Sequence, residues 1–260
     1  MRLATIASGS SGNCIYIGTE KRNILIDAGI SLKRIETGLE SLGLGVNDLD
    51  GILITHEHAD HIGGLGVLLR KYEVPVYLTE GTYSEIKRKN LLGKVNDEYF
   101  QVIFPDTEFS LGDIKAESFS VSHDAAQPVV YRVASNDHSA AVVTDLGVYD
   151  KDLAERLCGL DAVLLEANHD VRMLQTGPYP YPTKQRILGE KGHLSNESAA
   201  RLLCDINSQR LKHVILGHIS KINNYVELAL ETVRTEGRFS GCEADVVSAP
   251  PDRLSDIIEI

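Results

Sequence analysis

Thr55-His56-Glu57-His58-Ala59-Asp60-His61 follows directly on the apolar run Gly51-Ile52-Leu53-Ile54-Thr55, and its reading decides the rest of the chain. Three imidazoles and two carboxylates stand within six positions. Such groups are costly to bury without partners, and a solvated surface turn rarely concentrates histidine in this way. With Gly51 to Thr55 as a short buried strand, His56 and His58, two apart at its end, can point their nitrogens at one metal ion. Asp60 and His61, on the following turn, can reach a second. Neutral imidazole with carboxylate suits zinc and tolerates manganese or iron.

Working outward from this loop, short β-rich runs alternate with helical patterns, as in a layered α/β protein. Ala4-Thr5-Ile6, Cys14-Ile15-Tyr16-Ile17 and Ile24-Leu25-Ile26 read as three consecutive strands. Ser31 is placed to cap a helix that ends near Gly43, and further helices are expected over Gly64 to Tyr72 and Thr82 to Asn90. From Tyr99 to Val143 the pattern is β-rich. Asp161 to Glu166 is a further strand, Thr176 to Thr183 a Pro- and Tyr-rich ordered loop, Ser195 to Ile206 a helix, and Leu211 to Leu216 a strand running into Gly217-His218. The tail Ile257-Ile258-Glu259-Ile260 fits a terminal strand, an interface element or a frayed end. No internal repeats break the pattern, and residues 1–260 are read as one domain.

The composition is that of a globular chain: 43% apolar and 24% charged over 260 residues. Apolar stretches are strand-sized, so none is expected to span a bilayer. The opening residues are too short for a signal sequence's apolar region, which makes the cytoplasm the expected compartment. Cys14, Cys158, Cys204 and Cys242 are far apart with no C-x-x-C pair, and are read as small buried apolar residues under reducing conditions. The net charge of −11 argues against a surface that coats nucleic acid generally. It leaves room for a phosphodiester-cleaving enzyme whose metals make one site locally positive. His138, in a polar turn, and His213, beside Lys212, are read as exposed.

The H-x-H-x-D-H loop after a strand resembles the metal loop of the metallo-β-lactamase superfamily. The resemblance implies an αββα sandwich, two mixed sheets flanked by helices, and further ligands in a fixed order, which this sequence meets. His123 stands in Ser120-Val121-Ser122-His123-Asp124, Asp145 in Val142-Val143-Thr144-Asp145-Leu146-Gly147, and His218 in Val214-Ile215-Leu216-Gly217-His218. Carried over, His56, His58 and His123 would hold one divalent ion, Asp60, His61 and His218 a second, and Asp145 would bridge them. Asp27, in Leu25-Ile26-Asp27-Ala28-Gly29, matches the family's supporting aspartate, which orders the loop without binding metal. Two such ions, Zn²⁺ or Mn²⁺, clamp a shared water and bring its pKa toward about 7. Two ions, two aspartates and one hydroxide leave a charge near +1, which welcomes an anionic substrate group.

The superfamily hydrolyses β-lactams, thioesters, lactones and phosphodiesters, so the fold leaves the substrate open. His at position 61 departs from the Cys-containing loop of the best-known β-lactamases, and His at 58 from the Glu of flavodiiron proteins. Leu165-Glu166-Ala167-Asn168-His169 and Gly192-His193-Leu194-Ser195 resemble segments of the nuclease RNase Z. That likeness implies His193 as the group that assists the leaving alkoxide and Glu166 as its orienter, so Asp60, His193 and Glu166 are the expected catalytic residues. His169 is a second candidate. Ser8-Gly9-Ser10-Ser11-Gly12-Asn13-Cys14, with Gly192-His193-Leu194-Ser195-Asn196 and Gly217-His218-Ile219-Ser220, closely resembles the bacterial YycJ (WalJ) family, described as metal-dependent 5′–3′ DNA exonucleases. Ser10, Gly12 and Asn13 could then present donors to a phosphate, or could simply form a hairpin turn.

His123 and Asp145 lie too close in sequence for the tRNA-clamping arm of RNase Z, and the insertion of RNase J-type nucleases is absent. Any grip on nucleic acid must come from the core, a partner or a second subunit, and a homodimer is possible. Lys184, Arg186, Lys191 and Lys221 lie on the expected site side, spaced among acidic neighbours, and are read as solvated surface charge. A DNA exonuclease is therefore the expected function. A small-substrate hydrolase is the alternative, either a thioesterase like glyoxalase II or an enzyme for cyclic or small phosphodiesters. The intact ligand set argues against a binding protein without turnover.

Overall fold

The computed structural model describes the whole chain, Met1–Ile260. Fourteen strands are distributed over two seven-stranded mixed sheets, with nine α-helices between them in sequence. The chain divides into two compact units, one formed by Met1–Ser120, Ala125–Asp137 and Pro250–Ile260, the other by Val121–Asp124 and His138–Ala249.

In the first unit β1 (Arg2–Ala7), β2 (Cys14–Gly18) and β3 (Asn23–Ile26) pair antiparallel. Parallel strands β4 (Gly51–Leu53), β5 (Val76–Thr79) and β6 (Phe100–Ile103) extend the sheet beyond β3. The helices α1 (Leu32–Ser41), α2 (Ala59–Ile62), α3 (Leu65–Lys71) and α4 (Glu80–Lys89) fall in the connections. Helix α1 turns Ile35 and Leu39 inward, and its Gly38 lies so close to the Ile6 side chain that a Cβ there would stand 2.4 Å from it. Three antiparallel strands, β7 (Glu108–Leu111), β8 (Ile114–Ser120) and β9 (Val129–Ser135), complete this unit's strands apart from the last. That last strand, β14 (Ile258–Glu259), pairs with β1, so the tail is a terminal strand.

The second unit carries four parallel strands, β10 (His138–Val143), β11 (Ala162–Glu166), β12 (His213–Gly217) and β13 (Asp245–Ser248). β11 is buried along its whole length, as expected of a parallel strand with near-continuous apolar sequence. Its helices are α5 (Lys151–Arg156), α6 (Val171–Thr176), α7 (Tyr181–Leu188), α8 (Asn196–Ile206) and α9 (Val226–Phe239). Ser195 caps α8 through the backbone N–H of Ser198, as its sequence position suggested.

Several sequence expectations need correcting. The strand before the metal loop ends at Leu53, and just beyond it the Thr55 backbone N–H is taken by the Asp27 carboxylate instead of a neighbouring strand. Residues Thr176 to Thr183 are not all loop: Pro180 opens a helix at Tyr181, its fixed φ suiting that position. Helix α9 is absent from the sequence reading; its buried face is Ala229, Val233 and Gly237. Only Cys14 is buried; Cys158 is exposed and Cys204 and Cys242 are half-buried, so the cysteines do not behave as a uniform apolar set. His138 is exposed as expected, whereas His213 is half-buried.

Candidate metal centre

In the first unit the organising residue is Asp27. It follows the last residue of β3 with a left-handed backbone (φ 62°) and is wholly buried. Its Oδ1 accepts the backbone N–H of Thr55 at 2.9 Å and its Oδ2 the Thr55 hydroxyl at 2.9 Å. His61 Nδ1 donates to the same Oδ2 at 2.7 Å, and His56 Nδ1 lies 3.0 Å from Thr55 Oγ1. Because the Thr55 hydroxyl donates to Asp27, it accepts from His56. One carboxylate thus sets the tautomer of two imidazoles and leaves Nε2 as the ligand atom of each. Burial pushes the Asp27 carboxyl up, and His61 and Thr55 pull against it.

The rings of His56 and His58 stand 4.5 Å apart and those of His56 and His61 4.1 Å, with Asp60 Oδ2 3.6 Å from His61 Nε2. Helix α2 therefore starts inside the motif and carries Asp60 and His61 on its single turn. Gly29 makes the fit possible: a Cβ on it would stand 1.7 Å from the Asp60 carbonyl oxygen. Asn13, buried, donates its backbone N–H to that carbonyl at 2.7 Å, and its Nδ2 lies 3.1 Å from His61 Nε2. In the loop before it, Gly9 N–H is bonded to Asn13 Oδ1 and Gly12 N–H to the Gly9 carbonyl, each at 2.9 Å. Gly12 therefore has its donor engaged, Ser10 is exposed at the tip, and Asn13 alone of the three touches a candidate ligand.

In the second unit the candidate residues gather at the carboxyl ends of adjacent parallel strands, the place where such sheets present ligand-binding groups. Asp145 lies just beyond β10, Glu166 closes β11, and His218 follows β12, with Val143 paired to Leu165 and Glu166 to Gly217. Asp145 and His218 both take left-handed φ (61° and 52°), as Asp27 does; three of the six such non-glycine residues are thus sequence-predicted site residues. Local strain of this kind collects at functional positions.

Glu166 is the counterpart of Asp27. It is wholly buried, and its Oε1 accepts from both His193 Nδ1 and His218 Nδ1 at 2.8 Å each, while Oε2 takes the N–H of Leu194 (3.1 Å) and Leu146 (3.3 Å). Burial alone would raise this carboxyl, but His193 and His218 outweigh it and hold it at about 2. Burial likewise lowers His193, and Glu166 with Asp145 overturns that and lifts it above the ordinary histidine value. His123 donates from Nδ1 to the Gly192 carbonyl at 3.0 Å, and its Nε2 lies 3.9 Å from Asp145 Oδ1. Burial leaves its pKa lowered. Asp145, Glu166, His193 and His218 offer ligand atoms within 4.8 Å of one another. The Nδ1 protons bound to Glu166 make that residue an orienter and leave Nε2 as the candidate ligand atom of His218 and as the outward-facing nitrogen of His193.

The donor set fits divalent metal: buried imidazoles anchored through Nδ1, with aspartates beside them. Sequence reasoning missed Thr55 as the hydroxyl between Asp27 and His56, although it opens the decisive stretch. It also missed Asn168, whose Nδ2 holds the His218 carbonyl at 2.9 Å, and Asn224, which bonds the Ala167 carbonyl at 2.9 Å. No sequence spacing marks the last two, since their bonds close over 50 and 57 residues. His169 is buried, its backbone bridged to Ser195, with Nδ1 unpartnered.

Residues 22–219 match the model of the beta-lactamase superfamily domain, and the chain belongs to that superfamily, with the metallo-β-lactamase fold. It is 43% identical over 234 residues to a protein named exodeoxyribonuclease YycJ from Bacillus anthracis, covering 90% of this chain and 88% of that one. It is 41% identical over 263 residues to exodeoxyribonuclease WalJ from Streptococcus pneumoniae, covering 100% and 98%. In solved structures the fold recurs in the metallo-β-lactamase fold protein YhfI from Bacillus subtilis (TM-score 0.72, 15% identity, 98% and 99% coverage).

Proposed function

We propose that this chain is a metal-dependent exodeoxyribonuclease that degrades DNA in the 5′–3′ direction. The reading takes two divalent ions, Zn²⁺ or Mn²⁺, with His56, His58 and His123 as ligands of one, Asp60, His61 and His218 of the other, and Asp145 shared. Such ions supply a hydroxide nucleophile at neutral pH. The observation that carries the proposal is the single Glu166 oxygen bonded to both His193 and His218. It ties a candidate ligand and a candidate proton donor to one carboxylate. A phosphodiester needs this pairing, because its alkoxide leaving group must be protonated, whereas a thioester's leaving group departs unaided. Full-length similarity to two exodeoxyribonucleases supports the same substrate class.

In this reading His193 holds the proton for the leaving oxygen, Glu166 keeps its ring in register, and Asn13 stands beside the ligand His61. No helix of the chain is long and apolar enough to cross a membrane. Four free thiols, one exposed, favour a reducing compartment, here taken as the cytoplasm. A homodimer is the assembly we assign, to be read by light scattering.

Metal-stripped protein reloaded with Mn²⁺ or Zn²⁺ is expected to release mononucleotide from a 5′-labelled duplex, and EDTA or Asp60→Ala to abolish it. Turnover of a thioester or a small phosphodiester with DNA left intact would replace the reading. His193→Ala should depress cleavage of DNA by about 10²-fold or more and that of bis-p-nitrophenyl phosphate far less; equal losses would reduce His193 to a structural residue.

A further inference from the structure

Between the β11 carboxyl end and His193 runs a largely exposed rim, whose last residue, Gly192, holds the candidate ligand His123 through its carbonyl. It comprises α6, the turn Gly177-Pro178-Tyr179-Pro180, α7 and the return through Gly189–Gly192. A second segment, Ile219 to Tyr225, leaves the site directly after His218, with Ser220, Asn223 and Asn224 buried and Lys221, Ile222 and Tyr225 exposed. The two are fastened together: Asp170 N–H bonds the Asn223 carbonyl at 2.9 Å, and a Cβ on Gly177 would stand 2.7 Å from Asn223 Oδ1. Both are fastened to the site. His193 N–H bonds the Ile187 carbonyl at 3.1 Å, and Ser220 N–H bonds the Asn168 carbonyl at 2.9 Å.

These segments carry an unusual surface for this molecule. Four of the chain's twelve exposed large apolar side chains fall on them, among them Tyr181 at 72% exposure, Tyr225 at 65% and Ile222 at 49%. Between Val171 and Gly192 and between Ile219 and Tyr225 there are five Lys or Arg side chains and one carboxylate, Glu190, on a chain whose net charge is −11. Lys191 and Lys221 are exposed. The prolines on either side of Tyr181 limit the backbone freedom lost when its ring is used. Exposed aromatic faces next to cations, on an otherwise acidic body, match single-stranded nucleic acid, whose bases stack and whose phosphates need counter-charge.

We infer that this rim is the strand-docking surface of the enzyme: Tyr181 and Tyr225 stack bases of a single DNA strand, and Lys191 and Lys221 hold its phosphates beside His193 and His218. The inference rests on the nuclease reading above and names how the DNA is held: the 5′ strand, frayed from the end of its duplex, lies across the rim.

The test is steady-state hydrolysis of the 5′-labelled DNA duplex by the metal-loaded Tyr181→Ala/Tyr225→Ala protein, with bis-p-nitrophenyl phosphate as the substrate too small to reach the rim. KM for the duplex should rise on the order of tenfold or more with kcat little changed, and kinetics on the small diester should stay as in wild type. Tyr181→Phe/Tyr225→Phe keeps the ring faces and should restore KM. Lys191→Ala/Lys221→Ala should flatten the dependence of KM on salt. An unchanged KM in the alanine double variant, with wild type cutting DNA, overturns the docking surface alone. A wild-type protein that turns over only the small diester overturns the nuclease reading and the docking surface with it.

Discussion

At the scale of the residue, two buried carboxylates do parallel work. Asp27 fixes His61 directly and His56 through the Thr55 hydroxyl, and Glu166 fixes His193 and His218. Asp27→Asn keeps the size but offers an N–H where one imidazole, a hydroxyl and a backbone N–H need an acceptor. Metal affinity is expected to fall roughly 10- to 100-fold as read by competition with a chromogenic chelator, and an unchanged affinity would remove Asp27 from the site's support. His169 belongs to the same scale. Burial lowers it from 6.5 to about 4, so its ring is neutral in the fold while the unfolded chain takes up the proton at higher pH. The stability of the neutral ring is therefore full above pH 6.5 and is lost as pH falls toward 4. The amount is about 3 kcal/mol. His169→Gln should flatten the change in urea midpoint between pH 7.5 and 4.5, and parallel slopes in the two proteins would rule this out.

At the scale of the element, the site depends on where strands stop. β10, β11 and β12 run parallel and in register, so residues after their ends share one edge, and left-handed turns at Asp145 and His218 direct the chain there. The metal loop depends equally on a close backbone approach, because α2 begins within H-x-H-x-D-H and its Asp60 carbonyl lies against Gly29. Gly29→Ala places a methyl group inside that contact. A loss of roughly 3 kcal/mol or more is expected in urea unfolding, together with weaker metal binding. A stability within 0.5 kcal/mol of wild type, about the scatter of a neutral surface change, would show that the loop can move aside.

At the scale of the whole molecule, the charge of −11 sets how metal and substrate meet the protein. Buried aspartates and imidazoles are an unbalanced set until cations join them, so metal should stabilise the folded chain. With metal at about a thousandfold its dissociation constant, linkage contributes roughly 4 kcal/mol, a rise in Tm on the order of 10 °C. Scanning calorimetry of stripped and reloaded protein checks this, with Asp60→Ala expected to show a smaller rise; identical Tm values would contradict metal binding to the native state. An acidic body also repels DNA, so affinity must come from a few local cations, and weak salt dependence of KM is expected compared with a basic nuclease.

The sequence by itself marked the candidate metal ligands. H-x-H-x-D-H, His123, Asp145 and His218 are readable because metal ligands must be particular residue types, and the loop packs them within one turn of chain. It also determined most strands and helices, since apolar periodicity and caps such as Ser195 are local signals. It did not reveal α9, whose buried face is Ala229, Val233 and Gly237, or the strand end at Leu53, just beyond which the Asp27 carboxylate takes the Thr55 backbone N–H. Nor did it show that Glu166 serves two histidines, that Asn13 touches His61, or that Tyr181 and Tyr225 belong to segments fastened together. These facts depend on contacts between residues distant in sequence. Only the tertiary structure decides them, because a hydrogen bond closing over fifty residues leaves no periodicity in the chain that makes it.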